Sequence, residues 1–342
     1  MRVAVVLFNL GGPDNLDAVQ PFLFNLFSDK AIIGAPNPIR WALAKFISST
    51  RAKEAKKNYA KMGGASPLLN ETQKQADGLE KALKETGIDA RCFLAMRYWK
   101  PFTKDAVNAV KEFAPDKIVL LPLYPQFSTT TTASSLLEWK KCGGGDAASI
   151  CCYPTEEGLI SAHVDKLIST WKDNGAPDNL RVLLSAHGLP KKVVDAGDPY
   201  QWQVEQSCAA VKAKLPSDWE VEICYQSKVG PLEWIGPSTD DSIQKAGADG
   251  KNVLVSPIAF VSEHIETLVE LDDEYAELAH ENGVTTYLRA PALGISDEFI
   301  SGLAGLVRKA ALNKESILNS GEYRICPKSW SACPNTKFEN IG

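Results

Sequence analysis

The sequence predicts an α/β protein of two similar lobes, and three observations carry that expectation. Short runs rich in β-branched residues alternate with longer charged stretches of helical periodicity, the pattern of strand–helix–strand units. The runs are apolar at nearly every position, which suits parallel strands buried on both faces. They also divide four and four, with matching turns at matching places.

In chain order, Val3–Asn9 comes first and meets Gly11-Gly12-Pro13. It reads as a buried strand and not an export signal, having one basic residue before it and no small-residue cleavage site after it. Arg91–Met96, Lys117–Tyr124 and Ser149–Tyr153 complete the first half. Arg181–Ala186, Val221–Tyr225, Asn252–Phe260 and Thr285–Leu288 form the second. Glu71–Lys84, Lys104–Phe113 and Glu205–Lys214 have helical spacing between them. The halves echo each other: Arg181–Ala186 ends at Gly188-Leu189-Pro190 as Val3–Asn9 ends at Gly-Gly-Pro, and Lys117–Pro122 resembles Asn252–Pro257. The join is expected in the helical stretch Glu156–Asp173. This gives lobes at 1–155 and 156–310, an apolar lip at about 20–50, and a C-terminal extension at 311–342. In open sheets of this kind ligands bind beyond the carboxyl ends of strands, here at a cleft between the lobes.

Composition removes several classes. At 44% apolar and 23% charged residues, the 342-residue chain has the mix of a globular protein and not a disordered one. It contains no apolar run of 18 residues, so a spanning helix is not expected. A net charge of −5 argues against a nucleic-acid coat. Eight cysteines are too sparse for a disulfide scaffold, and a cytoplasmic location with thiols free or metal-bound is expected. Neither G-x-G-x-x-G nor G-x-x-x-x-G-K-[ST] occurs, so a nucleotide cofactor has no support.

Two segments carry chemistry. Ser185-Ala-His187-Gly-Leu-Pro190 sets an imidazole at a strand end, suited to a base or a metal ligand, or equally to a histidine bonded to a nearby carbonyl. The second, Phe260–Tyr275, leaves its strand through Ser262, an expected N-cap, with Glu263 and His264 in the first turn. Glu266, Glu270 and Glu274 then stack on one helix face, with Leu268, Leu271 and Tyr275 on the other. Like charges four apart repel by about 0.2–0.5 kcal/mol per pair, a small cost that a solvated face or a cation-handling row would each explain. The order Glu263-His264-Ile-Glu266 is not the zinc-protease pattern. A third stretch, Phe22–Ser49, is so apolar around its prolines that it suits core helices, a lip on a flat apolar ligand, or contact with a bilayer. Arg51, Tyr59 and Ser66 follow it and could hold anionic groups at a rim.

Together these segments resemble the ferrochelatase family. Leu7-Phe-Asn-Leu-Gly-Gly-Pro13, Gly63-Gly-Ala-Ser-Pro67, Met96-Arg-Tyr-Trp99, Leu123-Tyr-Pro-Gln-Phe-Ser128, Ser185–Pro190, Tyr225-Gln-Ser-Lys-Val-Gly-Pro231 with Trp234, and Ser262-Glu-His-Ile-Glu-Thr-Leu268 occur in the family's order. The resemblance implies two Rossmann-like lobes, each a four-stranded parallel sheet flanked by helices, with a porphyrin cleft between them. It implies a lyase that inserts Fe²⁺ into protoporphyrin IX, with iron as substrate and no cofactor needed for the chemistry. His187 and Glu266 take the catalytic positions, His187 as pyrrole-proton acceptor or metal ligand. Glu270 and Glu274 extend the metal-handling row. Leu10, Arg51, Tyr59, Ser66, Arg97, Tyr124, Ser227, Trp234 and Phe260 match porphyrin-facing or rim positions.

Some family members hold a [2Fe–2S] cluster on four cysteines, three of them near the C-terminus. Here the tail offers Cys326 and Cys333, which Cys151 and Cys152 could complete to four. The internal position used by the animal enzymes, within Ser128–Ser134, is threonine. Coproporphyrin, another tetrapyrrole and metal, or a non-catalytic tetrapyrrole carrier are the competing readings. The tail and the apolar lip favour the less polar protoporphyrin and peripheral membrane contact. Oligomeric state is not written in the sequence.

Overall fold

Residues 3–8 are all 0% exposed, the burial of a strand covered on both faces. The computed structural model describes residues 1–313 and 315–336. Residues 337–342 of the expected C-terminal extension lie outside them. Contacts divide the chain into one unit of Met1–Tyr124, Ser128–Cys151 and Val307–Leu318, and another of Pro125–Phe127, Cys152–Leu306 and Asn319–Gly342.

In the first unit, β1 (Arg2–Asn9) pairs in parallel with β2 (Asp89–Met96) on one side and β3 (Lys117–Pro122) on the other. β4 (Ala148–Cys152) continues beyond β3. The helices are α1 (Val19–Ser28), α2 (Asn37–Lys61), α3 (Leu68–Glu85), α4 (Thr103–Phe113) and α5 (Thr132–Lys141). Ala4, Val6 and Phe8 face Val107 and Val110 of α4 and Trp139 of α5, with the Phe8 and Trp139 rings edge-on at 6.3 Å. Each such large side chain removed from water is worth roughly 1.5–3 kcal/mol.

The second unit contains α6 (Glu157–Asp173), β5 (Leu180–His187), α7 (Lys191–Asp195), α8 (Tyr200–Lys212), β6 (Glu220–Gln226), α9 (Thr239–Ala248) and β7 (Asn252–Pro257). A π-helical segment (Glu266–Glu274), α10 (Tyr275–Glu281), β8 (Tyr287–Arg289) and α11 (Asp297–Leu312) follow. The sheet order is β6-β5-β7-β8, all parallel. Val182, Leu184 and Ala186 of β5 pack with Val204, Cys208 and Val211 of α8, while Leu183 packs on the other face with Ile243 of α9. A strand apolar at every position serves two helical layers at once.

Two expectations change. The first sheet has five strands, not four, because β9 (Ile317–Asn319) extends it beyond β4. The neighbouring Ser149 N–H donates to the Ser316 carbonyl at 2.8 Å. Three residues are too short to show periodicity, and this strand exists only through its neighbour. The strands expected to reach Tyr124 and Phe260 stop at Pro122 and Pro257, where proline withholds the N–H that a continuing ladder needs. No helix of the described residues is long and apolar enough to cross a membrane.

His163 of α6 is 1% exposed and its Nε2 has no hydrogen-bond partner among the described residues. Burial lowers its pKa from 6.5 to about 3. Between those values the unfolded chain binds a proton that the folded one refuses, so stability falls as pH drops through this window. Denaturant titrations at pH 7.5 and 5.0 should show about 2 kcal/mol lost through this group. His163→Leu should flatten that part of the slope; an unchanged slope would contradict the assignment.

Candidate active site

The carboxyl ends of β5, β6 and β7 bring the sequence-expected residues of the second unit together. His187 is the last residue of β5, its side chain 37% exposed. Nδ1 lies 2.6 Å from the Gly188 carbonyl. A carbonyl only accepts, so Nδ1 carries the hydrogen and Nε2 is the basic nitrogen. Tyr200 Oη donates to the His187 carbonyl at 3.0 Å and fixes its backbone. The Gly188 N–H donates to the Gln226 carbonyl at 2.8 Å. A Cβ at Gly188 would stand 3.0 Å from that carbonyl oxygen and 3.1 Å from the Trp234 ring, so the close approach needs glycine. Trp234 lies 6.4 Å from the imidazole, ring to ring.

From β7 the chain passes Phe260, whose ring lies 4.5 Å from that of His264. Ser262 is not the N-cap expected: the π-segment is capped at Ile265, and Thr267 Oγ1 accepts from the His264 N–H at 3.0 Å. Glu266 Oε1 lies 3.8 Å from His187 Nε2, and Oε2 lies 3.7 Å from His264 Nε2. His264 is the residue that sequence reasoning passed over; its place two positions before Glu266 was the available signal. Glu266 Oε2 and His264 Nδ1 are buried with no hydrogen-bond partner among the described residues. Burial alone would raise the Glu266 carboxyl, but the imidazoles of His187 and His264 lower it more, to about 2.

Glu270 accepts from Gln226 Nε2 at 3.0 Å, Ser227 N–H at 2.8 Å, Ser227 Oγ at 2.6 Å and Tyr275 Oη at 3.1 Å. Tyr275, expected on the apolar side, thus turns its hydroxyl to the acidic one. Burial and the charge of Glu266 still raise the Glu270 carboxyl. Ser227 holds its N–H toward Glu270 from a left-handed backbone with φ 65°. Glu274 is exposed, so the row runs from buried to open. Among the described residues no three His, Cys, Asp or Glu side chains form a ready-made metal group.

In the first unit Leu10, Arg97 and Tyr124 follow the ends of β1, β2 and β3. Tyr98 N–H donates to the Leu10 carbonyl at 2.9 Å. The Arg97 guanidinium is engaged internally: Nη2 donates to Asp29 Oδ2 at 2.7 Å and Nε to Ser134 Oγ at 2.8 Å. Tyr98 Oη and Ser134 Oγ donate to the same Asp29 oxygen at 2.9 and 2.5 Å. Arg40 donates to the Ser28 and Ala35 carbonyls at 3.0 and 2.7 Å, closing the lip loop on itself. Tyr59 is buried, Arg51 exposed, and Ser66 packs against Gly12.

Cys151 falls in the first unit, and Cys152, Cys326 and Cys333 in the second; all four are buried. A hydrogen bond from Cys326 lowers the Cys333 thiol to about 6. A [2Fe–2S] cluster requires four ligands, and among the described residues this pair is not joined by a third.

The parallel α/β fold that carries His187 and Glu266 is shared with solved structures of chelatases. The fold is similar to that of SirB from Bacillus subtilis with Fe³⁺, with a TM-score of 0.53 at 14% identity over 92% of this chain and 97% of that one. It is also similar to the sirohydrochlorin chelatase SirB of B. subtilis subspecies spizizenii in complex with cobalt, at a TM-score of 0.52 and 12% identity over 92% and 97%. More narrowly, the chain belongs to the ferrochelatase family, whose model matches residues 2–311. It is 59% identical over 337 residues to the ferrochelatase of Caulobacter vibrioides (strain NA1000 / CB15N), covering 97% of each chain. It is 54% identical over 342 residues to that of Hyphomonas neptunium, covering 99% of this chain and 96% of that one.

Proposed function

We propose that the protein inserts Fe²⁺ into protoporphyrin IX, releasing two protons and forming protohaem. Family membership supports the reaction. The approach of His187 Nε2 to Glu266 Oε1 at 3.8 Å is the observation that carries the mechanism. The two pyrrole N–H protons must leave as the metal enters. His187 Nε2, left without a hydrogen because Nδ1 carries it, accepts each proton in turn and gives it up to solvent through its exposed edge. Glu266, ionised at neutral pH, stabilises the imidazolium between transfers. Glu266 and Glu274 offer oxygen donors to the incoming iron. Glu270 already accepts four hydrogen bonds and would have to give one up to ligate the metal. Leu10, Trp234 and Phe260 are read as apolar walls for the macrocycle. Arg51, Tyr59, Ser66, Tyr124 and Ser227 are read as its rim, and Arg97 as a brace of that rim through Asp29. No step passes through a cluster.

The test is anaerobic incubation with excess porphyrin and Fe²⁺. Loss of porphyrin fluorescence well beyond one equivalent supports the enzyme; loss that stops at one equivalent overturns it in favour of a carrier. Running protoporphyrin and coproporphyrin side by side fixes the substrate, with protoporphyrin expected to turn over faster.

Ile39, Trp41 and Phe46 of α2 are 56%, 58% and 67% exposed, with the exposed Lys45 among them. Apolar side chains interleaved with a cation suit the headgroup boundary of an anionic bilayer. We read this face as a peripheral membrane contact. Sedimentation with phosphatidylglycerol vesicles should bring the protein down, and Trp41→Ser/Phe46→Ser should cut the bound fraction at least fivefold. Wild-type protein left wholly in the supernatant would remove the contact.

A further inference from the structure

The π-helical course of Glu266–Glu274 is not explained by its own residues. A π-turn closes its hydrogen bonds one residue later than an α-turn and is rare, so its width must be held from outside. Gln226 and Ser227 grip Glu270 in its middle. The stronger grip comes from Arg289, at the end of β8. Its Nη1 donates to Glu263 Oε1 at 2.6 Å, and its Nη2 and Nε donate to Asp272 Oδ2 and Oδ1 at 2.5 and 2.7 Å.

The Asp272 contact is a two-point fork, a geometry that lysine cannot copy. Glu263 precedes the segment and Asp272 lies within its C-terminal half. One guanidinium therefore spans the stretch that carries His264, Glu266 and Glu270. The Ala292 N–H also donates to Glu263 Oε1 at 2.8 Å, fastening the same end to the backbone.

We propose that Arg289 is a positioning residue: it holds the π-turn open and so sets where Glu266 stands against His187. This rests on the reading of His187 and Glu266 as the reacting pair. Relaxation of the turn toward α-geometry would rotate Glu266 away from the imidazole, and displacements of about 1 Å at a reacting group can cost up to about 100-fold in rate. Arg289 also neutralises two half-buried carboxylates, so a charge-balancing role has to be separated from a positioning one.

Two variants separate them. Arg289→Lys keeps the charge and loses the fork. The triple variant Glu263→Gln/Asp272→Asn/Arg289→Gln removes all three charges together, which spares the fold the cost of an unpaired ion. Both are expected to keep the thermal midpoint within a few degrees and porphyrin affinity, read by fluorescence quenching, within about twofold. Both should still lose kcat for iron insertion at least tenfold. Wild-type kcat in either variant, or kcat that falls and recovers in step with the midpoint, overturns the proposal. Glu266→Gln run alongside distinguishes the two failures. If it turns over normally, the reacting-pair reading falls and this proposal with it. If it is impaired while the Arg289 variants are not, the positioning role alone falls.

Discussion

Replacing His187 with alanine is expected to lower kcat for iron insertion about 10³-fold while leaving porphyrin affinity within about twofold of wild type. The imidazole is proposed as the base at the end of β5, and its tautomer is set by its surroundings. The Gly188 carbonyl occupies the Nδ1 side, leaving Nε2 to face Glu266 at 3.8 Å. No neighbour can take over: His264 lies on the far oxygen of the same carboxylate, 3.7 Å from it. On the proposed reading Trp234, Phe260 and the other apolar positions supply the macrocycle's binding area, so affinity should survive a loss of base. Anaerobic stopped-time assays with separate porphyrin titrations check both halves. Turnover within tenfold of wild type would remove His187 from the chemistry.

Glu266→Gln is expected to cost about 10²-fold in kcat. The substitution keeps shape and removes charge. With its pKa held at about 2 by His187 and His264, the carboxylate remains ionised across all practical pH values. The loss should therefore be present throughout pH 6–9 and not only on one limb of the profile. A loss confined to one limb would mean that Glu266 exchanges protons itself instead of serving as a fixed anion. Because Glu266 Oε2 already lacks a hydrogen-bond partner, the amide introduces a donor with no acceptor provided, and some fall in stability should accompany it.

The strands were legible because burial on two faces forces apolar residues at successive positions, and the runs are short, rich in β-branched residues and bounded by turn residues. The position of His187 was legible for a related reason: a strand must end where Gly188 and Pro190 stand. Features that depend on distant partners were not. Ser262 carries a good local capping signal, yet the helix begins three residues later, because the turn is set by Thr267 and by Arg289, 27 positions away from Ser262 in the chain. The π-course has no signature of its own. Arg97 was expected at a porphyrin-facing or rim position, and its internal pairing carried no signal because its partner, Asp29, lies 68 residues earlier. His264 was overlooked beside the carboxylate row, although the two histidines flank Glu266 at nearly equal distances. Three-residue β9 had no pattern to detect.

The central claim is that His187 and Glu266 work as one unit on the porphyrin protons. A double-mutant cycle in kcat tests it most directly. Groups that act together are strongly non-additive, so His187→Ala/Glu266→Gln should be no more than a few-fold slower than His187→Ala alone. A double variant slowed by the product of the two single losses, about 10⁵-fold, would show two independent contributions and contradict the account.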